Sequence, residues 1–227
     1  MRSQFYISGQ SARKLLFVVI FVEICLVVGF LFISFLGEPS PVLYTIFNLS
    51  GEKNVPALFS SVQLLLVGIV FLSIAYQTKQ QNYPSPLFFA ILGAGFIFLS
   101  FDEFFSVHER ITRMFVHNKM VPRFKGDHGI WVAPYLFIGL VFFISTYGKF
   151  VAMWNKFRNE TTLMAAGFMI FLAGAVGMEV IGYQYLMDES SPRYLYKLEV
   201  AIEEFLEMMG ISIVLYGAIL LHQAKAP

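Results

Sequence analysis

Six runs of roughly 20 apolar residues, at about 14–37, 57–77, 86–108, 129–148, 162–186 and 198–222, constrain this chain more than any other feature. Each is long enough for a helix to cross ~30 Å of hydrocarbon, where every backbone N–H and C=O must be satisfied within the protein. The segments between them are short and carry helix-stopping residues, as in GEPSP at 37–41, NYPSP at 82–86, KGDHG at 125–129 and ESSP at 189–192. The expectation is an all-α polytopic membrane protein, a six-transmembrane-helix bundle forming a single integral membrane domain over residues 1–227, with the lipid bilayer as its surroundings. A composition of 57% hydrophobic and 14% charged residues excludes an ordinary soluble domain. The formal net charge of +1 argues against a nucleic-acid partner, whose phosphates call for a basic face. The single cysteine, Cys25, lies inside the first run, so no intrachain disulfide can form and a buried packing role is expected. That run is longer than a signal-peptide core and is expected to be retained.

Nine of the fifteen acidic residues nevertheless lie in or at the rim of these runs. A carboxylate near the centre of a membrane helix costs ~2.5–3.5 kcal/mol on insertion scales, so such a concentration calls for partners and marks a functional site by default. Glu23 stands alone in the first run. Asp102, Glu103 and Glu109 come at the end of the third, Glu179 late in the fifth, and Glu199, Glu203, Glu204 and Glu207 early in the sixth. Because successive spans alternate in direction, these eight acids approach the face opposite the termini. The loops bearing His117 and His128, and Arg193 and Lys197, open on that face too. Lys and Arg divide equally between the two sides, eight each. Arg2, Arg13 and Lys14 against Lys53 around the first span favour cytoplasmic termini, in the cell inner (plasma) membrane.

At about 100° per residue, Glu199, Glu203 and Glu207 form one stripe, and Asp102 nearly eclipses Glu109 seven residues on. His108 points elsewhere on an ideal helix, so the Asp102–Glu103 and His108–Glu109 pairs converge only if the helix bends or unwinds near Ser106. Like charges four apart repel, and away from water they demand protonation, a cation or a divalent metal. Three readings compete: a metal centre, a proton or cation pathway, or neutralisation by Arg110, Arg113, Arg193 and Lys197. Eight acids outnumber four bases, and the adjacent DE, HE and EE pairs offer bridging ligands, which favours metal. The expected ligands are Asp102, Glu103, His108, Glu109, Glu179, Glu203, Glu204 and Glu207, around divalent Fe, Mn or Zn. The paired Glu-x-x-His pattern of ferritin-like bundles is absent, so the centre would be rich in oxygen, with His108 and His128 the candidate nitrogen donors. The expected function is metal-dependent catalysis on a lipid-soluble or periplasmic substrate near the non-cytoplasmic face, with no catalytic residue assigned. Its alternatives are a proton- or cation-coupled transporter using the same acids and an accessory subunit of a larger membrane complex. A membrane-protein partner or a homo-oligomer is compatible with each.

The segments FLSFDEFFSVHERI and LEVAIEEFLEMMG resemble a group of uncharacterised bacterial multipass membrane proteins. In that group an L-S-x-D-E-x4-H-E stretch on one helix is followed by E-E-x2-E-M-x-G on the last. The likeness covers spans three to six, including WVAPYL and G-M-E, and places Phe101 at the variable third position. It implies that the eight expected ligands are site residues and names no reaction. Elsewhere plainer roles are expected: Gly93, Gly95, Gly174, Gly177 and Gly182 for close helix packing, Tyr183 for an interfacial aromatic, and His222 for a solvated end. The 26 Phe residues are expected to coat lipid and fill the bundle. The acids end span three but begin span six, contrary to an inverted repeat, which lowers the case for a transporter of that plan.

Overall fold

A computed structural model describes residues 8–35, 40–51, 54–78, 85–118, 120–186 and 192–225. Its helices are α1 (Gly9–Phe35), α2 (Pro41–Phe47), α3 (Val55–Thr78), α4 (Pro86–Phe105), α5 (Val107–Phe115), α6 (Val132–Lys156), α7 (Arg158–Leu186) and α8 (Arg193–Lys225). Six of them, α1, α3, α4, α6, α7 and α8, are long and apolar enough to cross a membrane. The described residues contain no strand. The architecture is therefore all-α with six candidate spans, as the apolar runs require. Most of the stop signals at 37–41, 82–86 and 189–192 lie outside the described residues, as do Arg2, Lys53, Lys79 and Lys119 of the orientation count.

Boundaries depart from expectation where local chemistry overrides hydropathy. The third run ends at Phe105 rather than 108 because the chain turns at Ser106. The fourth continues to Lys156 instead of stopping at 148, carrying Met153 into the core past Lys149. A long lysine stem lets its ammonium reach the interface while the helix goes on. The unexpected α2 starts where Ser40 Oγ accepts the Leu43 N–H at 3.3 Å and Pro41 supplies a pre-set φ at the first turn.

Helix α8 packs against α1, α3 and α7, while α3 pairs with α4 and α6 meets α7. Edge-on and tilted rings close the remaining gap between α4 and α6, with Phe88 to Phe150 at 4.9 Å and Phe98 to Tyr135 at 6.0 Å. The five helices α3, α4, α6, α7 and α8 thus succeed one another round a ring, with α1 outside against α8. Close approach is achieved by small residues, the expected means where lipid is as apolar as leucine. A Cβ on Gly93 would meet the Gly68 carbonyl at 2.9 Å, and one on Gly210 would meet the Phe171 nitrogen at 2.5 Å. Gly95 and Gly177 have open space around them and do not serve packing. Ser61 and Ser100 add reciprocal hydrogen bonds between α3 and α4, each hydroxyl donating to the other's carbonyl at 2.8–2.9 Å.

Toward the terminal side the interior is an apolar plug that includes Phe71, Phe88, Phe89, Phe96, Met164 and Val214. Other phenylalanines, among them Phe17, Phe21 and Phe137, face outward. So does Cys25, contrary to the buried role expected of it. Ser60, Ser61, Ser100, Thr161 and Ser212 lie inside.

Candidate functional site

Two backbone irregularities shape the end of the bundle opposite the termini. At Ser106 the backbone turns left-handed, with φ 54° and ψ 48°, separating α4 from α5. An L-residue in that region costs about 1–2 kcal/mol, so the surroundings must hold it there. Asp102 does so: its Oδ1 accepts the His108 N–H at 2.7 Å and faces His108 Nδ1 at 3.3 Å. One buried carboxylate caps the new helix and orients the imidazole. The chain does break near Ser106, and the break brings His108, but not Glu109, to Asp102.

The second irregularity is in α7, where π-helical turns at Ala173–Met178 and Gly182–Leu186 bracket Glu179. Each extra residue in a turn rotates the helix beyond it, and such bulges collect at functional sites. Gly174 and Gly182 lie where α7 presses on the acids of α8. A Cβ on Gly174 would come within 2.8 Å of Glu207 Cγ, and one on Gly182 within 2.5 Å of Glu199 Oε1. Here the glycines position carboxylates.

Glu199 is buried at 5% exposure and shares a hydrogen bond with Glu203, while Glu203, Glu204 and Glu207 are half-buried. Glu207 interacts electrostatically with Glu204, Glu103, Glu203 and Glu179, and Glu204 with Glu103 and Glu199. Three helices therefore bring acids within one another's fields, although α4 reaches α8 through side chains rather than backbone packing. Among the described residues, no three His, Cys, Asp or Glu side chains stand in a ready-made metal-binding arrangement.

Aromatic groups roof the acids. Trp131 Nε1 donates to Glu179 Oε1 at 3.2 Å, and its ring lies 5.3 Å from those of both His108 and Tyr135. The buried Tyr135 hydroxyl approaches Asp102 without closing a hydrogen bond. His128 is exposed and stacks on Tyr183 at 3.9 Å, so its imidazole is engaged with a ring rather than with the carboxylates. Burial alone would disfavour the His108 imidazolium. The hydrogen bond to Asp102 and the charges of Asp102, Glu103 and Glu109 outweigh it, holding His108 above the usual histidine range.

The bases expected to neutralise the acids mostly point elsewhere. Arg113 pairs with Glu109 at 2.9 Å, Lys197 donates to the Ser34 carbonyl and lies over Phe35, and Arg110 and Arg193 are exposed. Arg123, not considered from sequence, is held by Asp127 at 2.7 Å. Among the described residues, no Lys or Arg forms an ion pair with Glu179, Glu199, Glu203, Glu204 or Glu207.

Of the expected site residues, Asp102, Glu103, His108, Glu179, Glu203, Glu204 and Glu207 share this region. Glu109 is exposed and paired with Arg113, the turn at Ser106 having removed its eclipse with Asp102, while its charge still acts on His108 and Glu179. Glu199 was on the acidic stripe but outside the expected ligand set, yet it is the most buried acid of α8. Trp131 carried no signal beyond its place at the opening of a span. His222 is not a solvated end, since its Nε2 lies 2.8 Å from both Ser73 Oγ and Gln77 Nε2.

No curated protein and no solved structure matches the chain. A family model described as a domain of unknown function (DUF8692) matches residues 16–222, from the first span to the end of the last, and the chain belongs to that family.

Proposed function

We propose that this chain is a multipass protein of the cell inner membrane, with cytoplasmic termini, whose carboxylates near the non-cytoplasmic face bind divalent Fe, Mn or Zn for catalysis on a lipid-soluble or periplasmic substrate. One observation carries the reading: five glutamates of α7 and α8 lie in mutual electrostatic contact without an arginine or lysine ion pair among the described residues. Protons or a cation have to relieve this crowding, and hard oxygen donors on a shielded site suit a divalent cation. Glu103, Glu203, Glu204 and Glu207 would hold it, with His108 contributing Nε2. Asp102 fits the role of orienting that imidazole through Nδ1, as a carboxylate behind a metal-bound histidine does. Binding would need carboxylate rotations about fixed backbones, since the side chains are not pre-set as ligands. A bound metal would supply Lewis acidity or an activated water.

A second reading, a proton or cation path through the bundle, is favoured by Glu23, an acid set deeper than the others. The apolar plug opposes it. On α8 the ten residues from Ser212 to His222 rise ~15 Å, and buried Val214, Leu215, Ala218 and Leu221 lie between the two.

Elemental analysis of the purified protein separates the readings. Stoichiometric Fe, Mn or Zn, lost in Glu103→Ala and Glu203→Ala, supports a metal centre. Metal-free protein with pH-dependent ion flux in vesicles supports transport, and a stable co-purifying partner with neither supports the accessory role.

A further inference from the structure

Deeper in the bundle, α1, α3 and α8 are tied by three almost fully buried side chains: Glu23 (0% exposed), Gln63 (3%) and Ser212 (2%). The Gln63 amide donates to Glu23 Oε1 at 2.7 Å and to Ser212 Oγ at 2.8 Å. The Ser212 hydroxyl donates to the same Glu23 oxygen at 2.6 Å. Both amide hydrogens and the hydroxyl hydrogen are thereby used. What remains is two acceptors, Glu23 Oε2 and Gln63 Oε1, each buried without a hydrogen-bond partner among the described residues. They are the remaining oxygens of one hydrogen-bonded acid–amide pair.

A carboxylate in this position would leave two acceptors unsatisfied and a charge uncompensated, each of which is costly away from water. No described base faces it. On α1 the nearest charged side chain is Lys14, nine residues earlier, and the only ionisable residue of α3 is Tyr76 near its far end. On α8, Glu207 precedes Ser212 by five residues and Tyr216 comes four after it. The void beside Ser212, lined by Ala12, Leu15, Val19, Leu215 and Tyr216, is about 10 Å³. That volume admits at most one water and no hydrated cation.

We propose that Glu23 is a proton-binding site: one proton on Oε2 turns the two leftover acceptors into a donor and an acceptor, closes the acid–amide pair with Gln63, and removes the charge. The held proton locks α1 to α3 and α8. This site is separate from the metal proposal and stands or falls independently of it.

Infrared difference spectroscopy of the full chain in nanodiscs, wild type against Glu23→Gln at neutral pH, tests the assignment. The expected result is a protonated-carboxyl C=O stretch present in the wild type and absent from Glu23→Gln. The variant should keep its thermal midpoint, since an amide N–H replaces the acid O–H. Carboxylate stretches lost in place of that band, or collapse of Glu23→Gln, overturn the proposal. A melting temperature raised by Na⁺ in the wild type but not in the variant also overturns it, by assigning the site to a metal cation. Ser212→Ala, which keeps the carboxyl and removes one hydrogen bond, should move the C=O stretch to higher frequency. An unmoved band contradicts the geometry.

Discussion

Gly174→Ala should force α7 away from α8 at the level of the acids. The added Cβ would stand 2.8 Å from Glu207 Cγ, 2.9 Å from the Glu203 carbonyl oxygen and 3.0 Å from the Glu207 nitrogen. Two of these atoms are backbone, which no rotamer change can move. Ordinary contact begins at 3.4 Å, so the helices must part by about 0.5 Å at the carbonyl. Overpacking of this kind costs ~1–3 kcal/mol. Alanine also recovers ~1 kcal/mol of helix propensity over glycine, so the informative comparison is Gly177→Ala. That variant has the same gain with nothing within 4 Å of the new methyl. At ~2–4 °C per kcal/mol for a chain of this size, Gly174→Ala should melt roughly 2–12 °C below Gly177→Ala in a detergent thermal-shift assay. Equal midpoints would mean that the close approach of α7 to Glu203 and Glu207 is not a feature of the folded protein.

Three further outcomes are expected. Ser106→Gly should hold or raise the thermal midpoint, since glycine accepts φ 54° freely; Ser106→Val should lower it, since a β-branched residue is a genuine outlier at positive φ, and equal effects would show that the turn is not left-handed. In metal-free protein the raised proton affinity of His108 means that its charged form stabilises the fold fully below an unfolded pKa of ~6.5, with the contribution lost as pH rises through the higher folded value. Asp102→Asn should lower the His108 titration followed by NMR and flatten this pH dependence, whereas an unchanged titration would remove Asp102 as its partner. Met120, 92% exposed between α5 and α6, should become reactive to a membrane-impermeant maleimide in intact cells as Met120→Cys in a Cys25→Ser background. Protection until lysis would invert the proposed orientation.

The spans were legible because hydrocarbon thickness and backbone satisfaction leave few alternatives to six long helices. The turn at Ser106 was legible only as a condition: two acidic pairs on one run could not face the same place on an ideal helix unless it broke there. That argument was geometric and needed no propensity signal, and serine has none for a left-handed turn. By contrast, the π turns around Glu179 shift register by single residues, which the apolar pattern of a membrane helix does not record. The pairing of Glu109 with Arg113 was not legible, because helical phase does not carry across a break that resets it. Glu199 was undervalued for a related reason, since its burial depends on Gly182 of another helix. The Glu23–Gln63–Ser212 junction joins residues up to 189 positions apart in sequence, and each alone looks like an isolated polar residue in an apolar run.

The central claim is that carboxylates from α4 and α8, with the imidazole of α5, bind a divalent metal. X-ray absorption at the metal edge of purified, membrane-reconstituted protein tests it most directly. The expected spectrum shows a shell of oxygen and nitrogen donors at ~2.0–2.2 Å, at most one imidazole and no sulfur, which Glu203→Ala and Glu207→Ala weaken or abolish. Protein that shows no edge after exposure to Fe, Mn and Zn, or a metal shell untouched by both substitutions, would contradict it.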